Sequence, residues 1–123
     1  MNRLAPLAAL PLLLVACGGG DKGGGSAVST TGSPDAQTAT VDMNDKLVFD
    51  PTTVNAKVGT VTLDVVNSGV VPHNLEFEDK ALGKTSTVDG KKDEKLKVTF
   101  DKSGTFTFVC TFHSGMTGKV VVS

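Results

Sequence analysis

A chain of 123 residues with a net charge of −1 has room for one domain of ordinary size. Its 12 basic and 13 acidic residues nearly cancel, and the lysines at Lys91, Lys92, Lys95 and Lys97 are interleaved with acids and apolar residues. That pattern reads as a solvated strand face and argues against nucleic-acid binding. Two cysteines are too few for a disulfide scaffold, and a core without Trp or Tyr must be built from valine, leucine and six phenylalanines.

The first segment, Met1 to Ala16, has the pattern of an export signal: Arg3, an apolar run from Leu4 broken by Pro6 and Pro11, and small residues at its end. The run is too short to span a bilayer. Leu14-Val15-Ala16-Cys17 resembles a bacterial lipobox, in which the cysteine becomes the lipid-bearing first residue of the mature chain. Cys17 is then an anchor and the protein is extracytoplasmic, held on a bacterial membrane at its periplasmic or cell-surface side. An ordinary cleaved signal or an uncleaved anchor is the alternative. Loss of residues 1–16 removes Arg3 and leaves a net charge of −2.

Residues 17–39 are dominated by Gly, Ser, Thr and Ala and cannot fund a core, so they read as the lipidated cysteine followed by a flexible linker. As a coil, its ends would lie roughly 25 to 30 Å apart. The folded domain is expected from residue 40 to 123.

Within it the apolar period is two, which predicts strands. Leu47 to Phe49 and Val54 to Val58 supply edge strands. Val61, Leu63 and Val65 alternate with polar neighbours, as do Leu75 with Phe77 and Leu96, Val98 with Phe100. Phe106, Phe108 and Cys110 share one face of a strand, and Gly118 to Val122 forms the last. Turns fall at Pro51, Gly59, Asn67-Ser68-Gly69, Gly83, Asp89-Gly90 and Gly104. Asp79 to Asp89 reads as a loop or a weak strand. About seven short strands predict an all-β fold, a small antiparallel β-sandwich.

The chemistry is concentrated in Cys110-Thr111-Phe112-His113-Ser114-Gly115-Met116 and in Pro72-His73-Asn74. One thiol, two imidazoles and one thioether make up the donor set of a mononuclear copper electron-transfer site, with a trigonal His, His, Cys plane and a weak axial methionine. The alternative is that Cys110 and Met116 are ordinary core residues. Economy favours the metal: beyond Cys17 the chain has one cysteine, two histidines and two methionines, and only Met43 falls outside this set.

These residues carry a family likeness. From about Asp45 to Ser123 the chain resembles the cupredoxins, most closely the amicyanin and plastocyanin-like group. Two residues separate Cys110 from His113 and two separate His113 from Met116, as in amicyanin-like loops. The resemblance implies a Greek-key sandwich holding one copper, cycling between Cu(II) and Cu(I). His73, Cys110 and His113 would be its equatorial ligands and Met116 its axial one. It further implies a buried His73, a His113 whose ring edge is the electron port, and an Asn74 whose backbone N–H points at the Cys110 sulfur while its side chain ties to Thr111. A plain turn residue is the other reading of Asn74. Phe112 and Ser114 stand where such loops often carry proline, so the reduction potential does not carry over.

Val70, Val71, Pro72, Phe112, Gly115 and Thr117 would form a small apolar contact surface around His113, with loop packing as the alternative reading of these residues. The leading functional reading is a monomeric, membrane-tethered one-electron carrier between redox proteins such as a cytochrome, a dehydrogenase or an oxidase, without enzymatic activity of its own. The competing reading is a lipoprotein that binds Cu(I) to buffer or deliver it.

Overall fold

The computed structural model describes residues 26–123, so the expected signal segment, Cys17 and the first part of the expected linker lie outside the described residues. Among the described residues nine strands form two facing sheets: β1 Ala27–Ser29, β2 Gln37–Met43, β3 Phe49–Asp50, β4 Thr53–Ala56, β5 Gly59–Asn67, β6 Glu76–Phe77, β7 Asp93–Phe100, β8 Gly104–Val109 and β9 Thr117–Val122. One sheet has the order β1-β4-β9-β8-β6, the other β3-β2-β5-β7.

Strict alternation builds the core. Along β5 the odd-numbered residues Val61, Leu63 and Val65 are fully buried while Thr62, Asp64 and Val66 are only partly covered. Between the sheets they meet Val41, Met43, Val54, Val98 and Val120 and a cluster of phenylalanine rings. Phe108 sits edge-on to Phe49, with ring centroids 4.9 Å apart, and to Phe77 at 5.7 Å. Gly118 makes this possible, because a Cβ there would stand 2.4 Å from the Phe108 ring. Cys110 follows Phe108 on the same face, so the packing of that ring positions the strand that ends at the thiol.

Three features differ from the sequence reading. The sandwich is all-β as expected, but its sheets are mixed: β1 with β4, β4 with β9 and β2 with β5 are parallel. The chain crosses from one sheet to the other after β3 and returns as β5 alongside β2 in the same direction, which antiparallel hairpins alone cannot produce.

Second, folded structure begins well before residue 40. Ala27–Ser29 pairs with Thr53–Asn55, and β2 starts at Gln37. The polar character of this stretch misleads because Gln37 is buried yet fully bonded. Its Oε1 accepts from Thr30 Oγ1 and the Lys57 N–H, each at 2.8 Å, and its Nε2 donates to the Lys57 carbonyl at 2.8 Å and to the Pro34 carbonyl at 3.2 Å. Strand β1 has no buried side chain and exists through backbone pairing alone, so no apolar period announces it.

Third, β4 is no edge, since β1 covers its outer side, and the uncertain stretch after Asp79 forms a 3-10 turn at Lys80–Leu82. The Asp79 carboxylate caps that turn by accepting from the Ala81 N–H at 3.1 Å. On the outer face Lys91, Lys92, Lys95 and Lys97 are exposed, and Lys95 lies 3.6 Å from Asp64.

Candidate metal centre

Two loops and the end of one strand converge at one end of the sandwich. Strand β8 delivers Cys110 just past its last residue, and the Thr111–Met116 loop folds back so that β9 can pair with β8 from Val109 and Thr117 onward. The loop is closed by its own backbone: the Cys110 N–H donates to the Met116 carbonyl at 3.0 Å, and the Met116 N–H to the His113 carbonyl at 3.3 Å. Gly115 has φ +81, the left-handed conformation that lets so short a loop reverse. His73 arrives from the other side, anchored by a reciprocal backbone bridge with Val88 at 3.2 and 2.7 Å. It lies in an isolated bridge between strands.

The three strongest donors meet here. Ligand atoms of His73, Cys110 and His113 all lie within 4.8 Å of one another. Cys110 Sγ is 3.4 Å from His113 Nδ1 and 3.9 Å from His73 Nδ1, and the two imidazole centroids are 4.9 Å apart. His73 is fully buried, as the resemblance implies, Cys110 and Met116 are nearly so, and His113 is partly exposed. The four residues are positioned as a copper site, and the donor chemistry fits that metal: soft sulfur with imidazole in a compact, water-poor pocket.

Hydrogen bonding presents the right nitrogen. His73 Nε2 lies 3.0 Å from the Asn44 carbonyl, which can only accept, so Nε2 carries the proton and Nδ1 keeps its lone pair facing the thiol. Burial holds the His73 pKa below the ordinary histidine value, with nearby His113 adding to the effect and the Asn44 bond opposing it. Burial thus favours the neutral ring, the form that can act as a ligand.

Asn74 and Thr111 meet as expected, with Asn74 Oδ1 accepting from the Thr111 N–H at 2.8 Å and Asn74 Nδ2 donating to Thr111 Oγ1 at 2.9 Å. The expected bond from the Asn74 N–H to the Cys110 sulfur is not among the hydrogen bonds of the described residues; the sulfur's polar neighbours are the two imidazoles. Of the expected contact surface, Pro72 and Gly115 are exposed, Phe112 is half-exposed and Val71 is partly buried. Sequence reasoning missed Leu47 and Val48, which are exposed by 41% and 44% on the loop that carries Asn44. The signal was there in two adjacent apolar residues with no polar alternation, but it read as a strand.

Comparison with known proteins agrees with this geometry. The family model for the cupredoxin-like domain matches residues 9–122. Amicyanin from Paracoccus denitrificans is 34% identical over 79 residues, an alignment covering 63% of this chain and 60% of amicyanin. A solved structure of a reduced amicyanin mutant has a TM-score of 0.55 at 30% identity, covering 76% of this chain and 86% of that one. Auracyanin A, a blue copper protein from Chloroflexus aurantiacus, matches in fold with a TM-score of 0.62 at 20% identity, covering 72% and 99%. The chain belongs to the cupredoxin-like family and is of the amicyanin and plastocyanin type. It spans 60% of the length of the Paracoccus amicyanins it matches.

Proposed function

We propose that this protein is a blue copper electron carrier in which His73, Cys110, His113 and Met116 would hold the metal. The observation that carries the reading is the convergence of two imidazole nitrogens and one thiol within 4.8 Å, beside a buried methionine. Copper bound there would supply a Cu(II)/Cu(I) couple, with the thiolate contributing an intense visible absorption.

The chain's own residues do the rest. His73, pinned through Nε2, cannot rotate away from the site. The two backbone bonds across the Cys110–Met116 loop hold the donors in place before any metal arrives. Such preorganisation keeps the geometry similar in both oxidation states and so favours fast outer-sphere transfer. Met116, with 1% of its surface exposed, excludes water from one side. The His113 ring, partly exposed, offers the route out.

Phe112, exposed by 50%, has its ring 6.5 Å from that of His113; Val70, exposed by 70%, lies three residues before His73; and Leu47 and Val48 follow Asn44, whose carbonyl meets the His73 ring. Four of the six large exposed apolar side chains among the described residues therefore gather at this end of the sandwich. A patch of this size suits brief docking with redox partners such as a cytochrome, a dehydrogenase or an oxidase. With all four donors supplied by the chain, the site has no open position for a substrate, which favours a carrier over an enzyme.

The reading includes a lipid on Cys17 and a place on the outer side of a bacterial membrane. Eight residues separate Cys17 from Ser26, the first described residue. Their contour is at most about 28 Å, so the tether would be shorter than the 17–39 linker expected from composition.

Visible absorption during titration of the metal-free chain with Cu(II) tests the proposal. An intense blue band saturating at one copper per chain, and absent in Cys110→Ser, is the expected result. A folded, reduced chain giving no such band would instead favour Cu(I) buffering or delivery.

A further inference from the structure

The turn that supplies the Asn44 carbonyl to His73 is itself held by the residue beside it. Asp45 Oδ1 accepts from the Val70 N–H at 2.8 Å and from the Val71 N–H at 3.0 Å, two residues short of His73. Asn44 and Asp45 thus grip the same approaching segment at two points, one through a carbonyl on the ring and the other through a carboxylate on the backbone. Neither contact is local, since each joins residues at least 25 apart in the chain.

Close approach is built into both partners. A Cβ on Gly69 would stand 2.1 Å from Asp45 Oδ1 and 2.6 Å from its Cγ, so only glycine admits the carboxylate there. On the other side the turn is shaped by Asn44 Oδ1, which accepts from the Lys46 N–H at 2.9 Å, and by the Leu47 N–H, which donates to the Asn44 carbonyl at 3.1 Å. Leu47 sits at φ 60, a conformation unusual for a branched apolar residue. A turn with this local cost persists because contacts elsewhere over-determine it. The Asp45 bonds are such contacts.

We infer that Asp45 is a positioning residue for His73: its carboxylate locks the Asn44 carbonyl onto Nε2 and so selects the tautomer whose Nδ1 faces Cys110 and His113. Without it, the turn is free to swing, the Nε2 proton loses its acceptor, and the imidazole can place its proton on Nδ1, where it would compete with a metal. The carboxylate acts through backbone and never touches the site. This inference takes His73 as a ligand from the reading above.

The test is made on the metal-free full chain, so it can fail while copper binding stands, and copper binding can fail while it stands. Nitrogen chemical shifts of the His73 ring report the tautomer, and amide hydrogen exchange reports the Val70 and Val71 bonds. In Asp45→Ala both amides should exchange roughly tenfold faster or more, and the Nε2–H tautomer should lose its dominance. Asp45→Asn, which keeps an oxygen acceptor, should restore both. A His73 ring that remains in the Nε2–H form in Asp45→Ala overturns the inference and leaves Asp45 a loop clamp only. If Asp45→Ala does not fold, Asp45→Glu takes its place, since the added methylene displaces the oxygens while keeping the charge. The same loss of the Nε2–H form is then expected, and its absence again overturns the inference.

Discussion

The Asn74 side chain and Thr111 are joined by three hydrogen bonds of 2.8 to 3.2 Å, linking the residue after His73 to the residue after Cys110 across 37 positions of sequence. The two donor-bearing segments are stitched together by an amide matched on both sides. Asn74→Ala should therefore destabilise the metal-free protein by about 1–2 kcal/mol, measured by chemical denaturation. Copper affinity should fall by roughly 10- to 100-fold, the usual effect of removing a group that orients a metal ligand. An unchanged affinity would show that the loop's own backbone bonds suffice.

Met116 combines two roles that one substitution can separate. Met116→Leu keeps its volume in the core, so stability should change by less than about 1.5 kcal/mol. Without the thioether, the oxidised state loses a donor and the reduction potential should rise, as direct electrochemistry would show. A potential that does not move would place Met116 in the core alone.

Protons should compete with folding at His73. Burial, aided by His113, holds its pKa in the folded chain below 6.5, the ordinary value expected in the unfolded chain. Between the two values the unfolded chain binds the proton and the folded chain does not, so the unfolded state gains. This contribution to the stability of the metal-free protein is fully present above about pH 6.5 and is lost as pH falls through the lower folded value. Denaturation midpoints measured from pH 7.5 to 5 should decline in the wild type and stay flatter in His73→Gln.

Docking and metal binding should be separable on the surface. Val70→Asp and Phe112→Ser alter exposed side chains at the site end without touching a donor. Both variants should keep the blue band and its copper stoichiometry while bimolecular electron transfer to a small redox protein slows by about tenfold, a typical loss for a buried apolar contact at an interface. Equal slowing with a small inorganic oxidant, which needs no docking, would count against a partner surface.

The amino-acid order alone determined the donor set and the loop spacing that brings Cys110, His113 and Met116 together, because three residues of one short loop can reach one point wherever the loop sits. It also determined the strands with a strict period of two, since alternating burial leaves its mark on composition at every position of β5. The tertiary structure alone decided the rest. Strand β1 has no side chain in the core, and β2 opens with a buried glutamine whose partners come from Thr30, Pro34 and Lys57, so neither carried an apolar signal. The parallel partnership of β2 with β5 depends on a crossing between sheets. Most of all, which nitrogen of His73 faces the thiol depends on a carbonyl 29 residues away. Backbone carbonyls are the same at every position of a chain, so only the fold could show which one His73 would meet.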